Sequence, residues 1–368
     1  MSKRIQIGTR ASAIDSNNNI WLSNYFFNGL FRINLNDLII EYVDRFPGEA
    51  ADKREMHLGA HINGSDVIFM PYANSTIHIY NMENKTFKTI NVPKEYGCNF
   101  TSSVSIDNDI YFLSWEGNIL YYDIKKQRVL KDEALTEEYM TFRKEADEQW
   151  NYSIDEDGFS ILDGKNHICR INIKNKKIDK YTVTSEYENL EIAYYERSCF
   201  WFSLNDSQSM LFWDIKKNSY ECYTSETEIW GKEKYKYNPY NKILNSEDIT
   251  VFSNYNAAFP IKVDKKNKKI VSLSRNISID DIIEKREWGP IFTDVYDIGE
   301  TIYFVPCCNK YLLLCNKKTY NINKIPFWVD KEDIPAIYDV MKSRFEKQIL
   351  NESGDFFDLA SMIEYVKY

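Results

Sequence analysis

Short apolar runs alternate with polar clusters along almost the whole chain, and they keep a register. The apolar cores are Ile20-Trp21-Leu22, Val67-Ile68-Phe69, Ile110-Tyr111-Phe112, Phe159-Ser160-Ile161, Phe200-Trp201-Phe202, Thr250-Val251-Phe252 and Ile302-Tyr303-Phe304. Each is followed, at the end of the next apolar segment, by Asp or Asn: Asn34, Asn81, Asp123, Asn172, Asp214, Asp264 and Asn316. These anchors lie 47, 42, 49, 42, 50 and 52 residues apart (81−34, 123−81 and so on), and core leads anchor by 13 or 14 residues throughout. A β-rich repeat of about 40–50 residues is the period of a propeller blade. The spacing predicts a seven-bladed β-propeller in which the backbone repeats and the side-chain chemistry does not.

The third unit shows the expected blade. Ser102 to Ile106 forms the inner strand, Ile110 to Ser114 the second, Ile119 to Ile124 the third and Arg128 to Asp132 the outer one. β-branched and aromatic runs bounded by Asn, Asp, Gly and Lys clusters read as antiparallel strands. The inner segments carry small residues, among them Ala11-Ser12-Ala13, Gly59-Ala60 and Ser102-Ser103, which suits strands converging on an axis. Helix signals are nearly absent until the pattern changes after Asp330. There Ile334, Ile337, Tyr338, Met341, Phe345, Ile349 and Leu350 recur at three- and four-residue steps, with Pro335 in the position of a first turn. Asn351 to Gly354 interrupts, and Phe356, Leu359, Met362, Ile363 and Val366 form a second stripe. The expected organisation is a propeller over 1–330 and a helical tail over 331–368, packed on or beside it. The second stripe would otherwise serve as a docking helix for a protein partner.

Composition narrows the function. Aromatics make up 15%, with Tyr 27 and Phe 21, as twisted sheets packed face to face require. A formal charge of −9 excludes a general binder of nucleic acid or anionic membrane. The first fifteen residues have no apolar signal core, and no 18-residue apolar run occurs. Seven cysteines, without CxxC or a Cys/His metal spacing, fit a reduced cytoplasmic protein, and the Asn, Lys, Ile and Tyr bias fits an AT-rich bacterial genome. No cofactor or metal site is expected.

Ile20-Trp21-Leu22-Ser23 followed by Gly29-Leu30-Phe31-Arg32-Ile33 resembles the repeat of streptogramin-lyase-like and two-component-regulator propellers, and Trp288-Gly289-Pro290-Ile291 is similar to a blade entry of the lyase type. The resemblance implies a propeller. Kelch double glycines, sialidase Asp-boxes and a repeated Trp-Asp dipeptide are missing, Trp213-Asp214 being a single instance.

The two ends of such a propeller differ. One collects short polar turns inside blades, such as Asp107-Asn108-Asp109 and Lys265 to Lys269. The other collects longer aromatic loops and the crossings between blades, such as Phe46 to Glu55 and Glu133 to Gln149. Irregular loops on a rigid scaffold are where sites form. The pocket is therefore expected at the aromatic end, lined by some of Tyr25, Arg54, His57, Tyr72, Trp115, Trp150, Tyr255, Trp288 and Cys307. His57 and His61 on one strand lie roughly 13 Å apart, too far to chelate one metal. His57 reads either as a general base or acid, with Arg54 to hold an anion or Glu55 to orient the imidazole, or as a hydrogen-bonded channel histidine. Tyr194 to Arg197 reads as a structural charge cluster, and Cys307-Cys308 as a vicinal pair without a placed activator. Two functions remain: a binding or scaffolding propeller that takes a peptide, protein or small molecule at the aromatic-loop face, and a propeller-top lyase, cyclase or hydrolase using His57 with Arg54 or Glu55.

Overall fold

The computed structural model describes residues 4–145, 151–184, 187, 190–204, 209–225, 240–245, 249–254, 261–273, 292–307, 310–330 and 333–334. These residues form a β-propeller. Four-stranded antiparallel meanders cover 9–44, 57–91, 100–131, 151–182 and 292–326, and an eight-stranded sheet covers 191–272. In every sheet the strands follow chain order outward from the axis, except that the eight-stranded sheet comprises two meanders, 191–224 and 240–272, joined at their outer strands by the parallel bridge Thr224↔Lys269. The first strands of successive meanders touch in cyclic order, and the last touches the first, so the ring is closed.

Closure uses both ends of the described chain. Arg4–Gln6 pairs antiparallel with Trp328–Asp330, and the Ile7 amide donates to the Phe327 carbonyl at 3.2 Å. The core lies between neighbouring sheets. Ile7, Ile20, Val305 and Leu312 join the first and last sheets, while Ala11, Trp21, Phe69 and Tyr80 join the first and second. Ile334 is buried in the former cluster; the remaining tail stripes fall on residues outside those described.

The anchors have a local physical cause. Each is the last residue of a third strand, and each offers Oδ1 to a backbone N–H two or three residues on. Four residues after every anchor the chain enters the left-handed region, at Leu38, Lys85, Gln127, Lys176, Asn218, Lys268 and Tyr320, with φ between 47° and 60°. A short side chain with an acceptor oxygen completes this turn, which is why Asp or Asn recurs and hydrophobic identity does not.

One element departs from expectation. The crossing read as an irregular loop from Glu133 contains the only α-helix among the described residues, Glu133–Glu145. Asp132 caps it by accepting from the Leu135 amide at 3.2 Å, and Leu135, Tyr139 and Phe142 form a buried stripe against the third and fourth sheets.

Candidate functional site at the aromatic-loop end

The first strands carry a shared irregularity close to where the crossings enter. Pairing skips one residue between Thr9 and Ala11, His57 and Gly59, Phe100 and Ser102, Ile192 and Tyr194, and Phe292 and Asp294. A bulge leaves one residue unpaired and re-aims its side chain. In the first sheet that residue is Arg10. Its guanidinium lies 5.1 Å from the Tyr25 ring centre and 5.3 Å from that of Tyr72, and 3.2 Å from the Glu55 carboxylate. The Tyr25 hydroxyl donates to Glu55 at 2.7 Å, and the Glu55 amide donates to the Tyr25 carbonyl at 3.1 Å. Glu55 holds a left-handed backbone, φ 49°. The Arg10 side chain is 14% exposed and that of Glu55 33%, so the ion pair is reachable from solvent but partly desolvated. A planar guanidinium supported by two rings and one carboxylate is suited to a carboxylate, phosphate or carbonyl of a ligand.

Gly8 explains how this strand start is seated. A Cβ there would stand 1.7 Å from the Cys307 carbonyl oxygen, so only glycine allows the last sheet to approach. The Gly8 carbonyl in turn accepts from the Tyr25 amide at 2.6 Å, linking that close approach to the ring that flanks Arg10.

The structure thus brings together Tyr25, Glu55 and Tyr72 of the residues nominated from sequence, around Arg10, which sequence reasoning missed. The others are placed differently. Cys307 is fully buried and contributes its backbone. Arg54 is exposed. Trp115 is 56% exposed, its carbonyl accepting from Arg143 of the helix at 2.8 Å. Trp150, Tyr255 and Trp288 lie outside the described residues.

His57 is 2% exposed and sits between the first two sheets rather than at a channel mouth. Its Nδ1 lies 2.7 Å from Ser23 Oγ and its Nε2 2.8 Å from His78 Nδ1, while His78 Nε2 lies 3.1 Å from the Pro47 carbonyl. A carbonyl can only accept, which assigns the whole chain. His78 donates to Pro47, His57 Nε2–H donates to His78, and Ser23 donates to His57. Phe46 packs on both rings. Burial, then the neighbouring His78, holds the His57 imidazole well below its ordinary range, and burial pushes His78 down to about 4. Both rings are neutral near pH 7 and both His57 nitrogens are occupied, so neither Arg54 nor Glu55 is its partner.

Around the axis, side chains tie neighbouring sheets in one register. Ser12, two residues past Arg10, donates to Asp294 Oδ2 at 2.6 Å and receives the Tyr296 hydroxyl at 2.8 Å. Ser103, two past Thr101, meets His61 Nε2 at 2.8 Å. Burial raises the Asp294 carboxyl to about 6 against two opposing Ser12 hydrogen bonds, and raises Glu191 to about 7 against one from Ser203. Among the described residues no three His, Cys, Asp or Glu side chains converge as a metal site. Also among them, a groove of about 680 Å³ opens at the other end, between the first two sheets, an end that the sequence reads as turns alone.

Ring closure, outward strand order and the repeated turn define a β-propeller. No protein-family model and no curated protein matches the chain. Among solved structures it is similar to virginiamycin B lyase from Staphylococcus aureus, with TM-score 0.55 and 14% identity over 83% of this chain and 96% of that one. It is also similar to YCF48 from Cyanidioschyzon merolae, with TM-score 0.56 and 9% identity over 84% and 95%. The computationally designed Ika8 protein matches with TM-score 0.51 and 8% identity over 88% of each chain. A lyase is thus among the structural neighbours, in keeping with the resemblance in sequence; at these identities the likeness extends to the fold.

Proposed function

We propose that the protein is a binding propeller that takes a peptide, protein or small molecule at its aromatic-loop end, against Arg10, Tyr25, Glu55 and Tyr72. Glu55 is the observation that carries this reading. Among the described residues, every other non-glycine residue at positive φ lies in a tight turn between strands of one sheet; Glu55 alone lies on a crossing between sheets. A left-handed non-glycine residue costs on the order of 1–3 kcal/mol and persists where surrounding contacts over-determine it. Here those contacts are the Tyr25 and Arg10 partners that form the site. The neighbours' differing roles fit a scaffold whose function resides in its loops.

In the same reading the eight-stranded sheet is two blades touching at their rims, which gives seven blades. Free thiols at Cys98, Cys169, Cys199, Cys222 and Cys315 support a reducing, cytoplasmic setting.

Crystallographic soaking with a fragment library rich in carboxylates and amides tests the site. Fragments should lie against Arg10 and the two tyrosines and disappear in Arg10→Ala. Fragments bound only elsewhere, or unchanged in the variant, would overturn the reading.

A further inference from the structure

The groove at the turn end lies on the side of the ring away from Arg10. It is lined by the within-sheet turns of the first two sheets, by Glu41 to Asp44 on the outer strand of the first, and by Trp21 and Tyr80. Its volume, about 680 Å³, falls in the range of ligand sites. Four acids, Asp15, Glu41, Asp44 and Glu83, face two bases, Arg32 and Lys85, leaving a formal −2.

Three of the acids are already engaged. Asp15 accepts from Trp21 Nε1 at 2.9 Å and from the Asn17 and Asn19 amides; Glu41 pairs with Arg32; Glu83 accepts from Ser65 at 2.6 Å. Asp44 is different. Its Oδ1 takes the neighbouring Arg45 amide at 2.7 Å, and its Oδ2 has no hydrogen-bond partner among the described residues. Tyr80 supplies the second observation. It is 3% exposed and lines the groove, yet its hydroxyl makes no hydrogen bond with any described residue, and neither does that of Tyr42 beside it. Asp44 lies close enough to both phenols for its charge to add to the effect of burial in raising them. The Tyr80 ring is buried while its hydroxyl oxygen opens into the groove, where a ligand group can replace water as its partner.

The groove also contains an example of what it accommodates. Arg32 lies 5.8 Å over the Trp21 ring while pairing with Glu41, a guanidinium held by a carboxylate and an aromatic face.

We propose that this groove binds a basic peptide, with a lysine or arginine head against Asp44 and the Tyr42 and Tyr80 hydroxyls. The carboxylate supplies charge, and the phenol oxygens accept from the remaining N–H groups. Lys85, without an ion pair among the described residues, borders the site and opposes the ligand.

Fluorescence anisotropy of a labelled tetra-arginine peptide at low salt, with the full chain, tests this. Asp44→Asn should weaken binding about tenfold and Tyr80→Phe severalfold, both with unchanged circular dichroism; Lys85→Ala should tighten it. Arg10→Ala should leave it unchanged, which separates this site from the aromatic end. Binding that ignores Asp44→Asn and Tyr80→Phe would reveal general attraction to an acidic surface and overturn the proposal. Equal affinity for free spermidine, displacement by neutral maltotriose, or no binding at all would overturn it as well.

Discussion

The buried pair His57–His78 makes stability depend on acid in a way that can be worked out. In the neutral chain Ser23→His57→His78→Pro47 every nitrogen has one role. Adding a proton to His78 sets two N–H donors against each other, adding one to His57 forces the Ser23 hydroxyl to turn from donor to acceptor, and either puts a charge in an apolar site beside Phe46. The unfolded chain takes up that proton near pH 6.5, whereas folded His78 does so only at about 4 and folded His57 well below the ordinary value. With folded values depressed, the contribution is complete above pH 6.5 and is lost as pH falls. Each unit is worth about 1.36 kcal/mol, so at pH 5 His78 costs about 2 kcal/mol, and His57 adds to that loss in the same sense. A domain's whole stability is about 5–15 kcal/mol. The raised carboxyls of Asp294 and Glu191 act in the opposite sense, gaining stability on acidification below about 6 and about 7. They therefore mask part of the loss in the wild type. The informative quantity is a double difference: urea unfolding at pH 7 and pH 5 for wild type and for His57→Gln/His78→Gln. The variant should be weaker at pH 7 but should lose at least about 2 kcal/mol less on acidification. Equal pH dependence would refute the reasoning. If the variant does not fold, NMR titration of the wild-type imidazoles tests the same point, and a folded-state value near 6.5 for either ring refutes it.

Gly8→Ala should lower stability by about 1–3 kcal/mol in chemical denaturation, because the new methyl meets a backbone carbonyl that cannot rotate away. Gln127→Gly should raise the unfolding free energy by about 1 kcal/mol, since φ 53° is left-handed strain for a residue with a Cβ. Ser12→Ala removes both the opposing hydroxyl contact at Asp294 and the acceptor of the Tyr296 hydroxyl; carboxyl carbon NMR should show Asp294 titrating above its present value of about 6.

The propeller was legible because its turn has a chemical requirement at one position. Asn34 through Asn316 recur because the backbone four residues later turns left-handed, and an Oδ1 at the start of the turn has to hold an amide in between. The helix from Glu133 was legible in principle: Asp132, Leu135, Tyr139 and Phe142 form a cap and a stripe, but both were submerged in a polar crossing. Tyr25, Glu55 and Tyr72 were nominated from the loops and the crossing that exceed turn duty, and the structure gathers them around Arg10. The surroundings of His57 were hidden for a reason absent from its neighbours in sequence. Its partners, Ser23 and His78, come from strands 34 and 21 residues away, and they hold a buried, neutral ring between two sheets.

Arg10 shows the complementary limit. In sequence it is one arginine among small residues on an inner strand, where regular alternation assigns it a pleat position. The skipped register between Thr9 and Ala11 removes it from alternation and aims it at loops from two sheets. The equivalent positions are Leu58, Thr101, Ala193 and Thr293, none of them charged. The same bulge recurs around much of the ring, so the backbone supplies it as a generic feature of the scaffold. At Arg10 alone among these five positions it carries a cation, and there the crossing supplies a carboxylate on a strained backbone. Scaffold and site are thus separable in this chain: the repeat fixes where a side chain can escape the sheet, and the residue at that position decides whether the escape has chemical consequences.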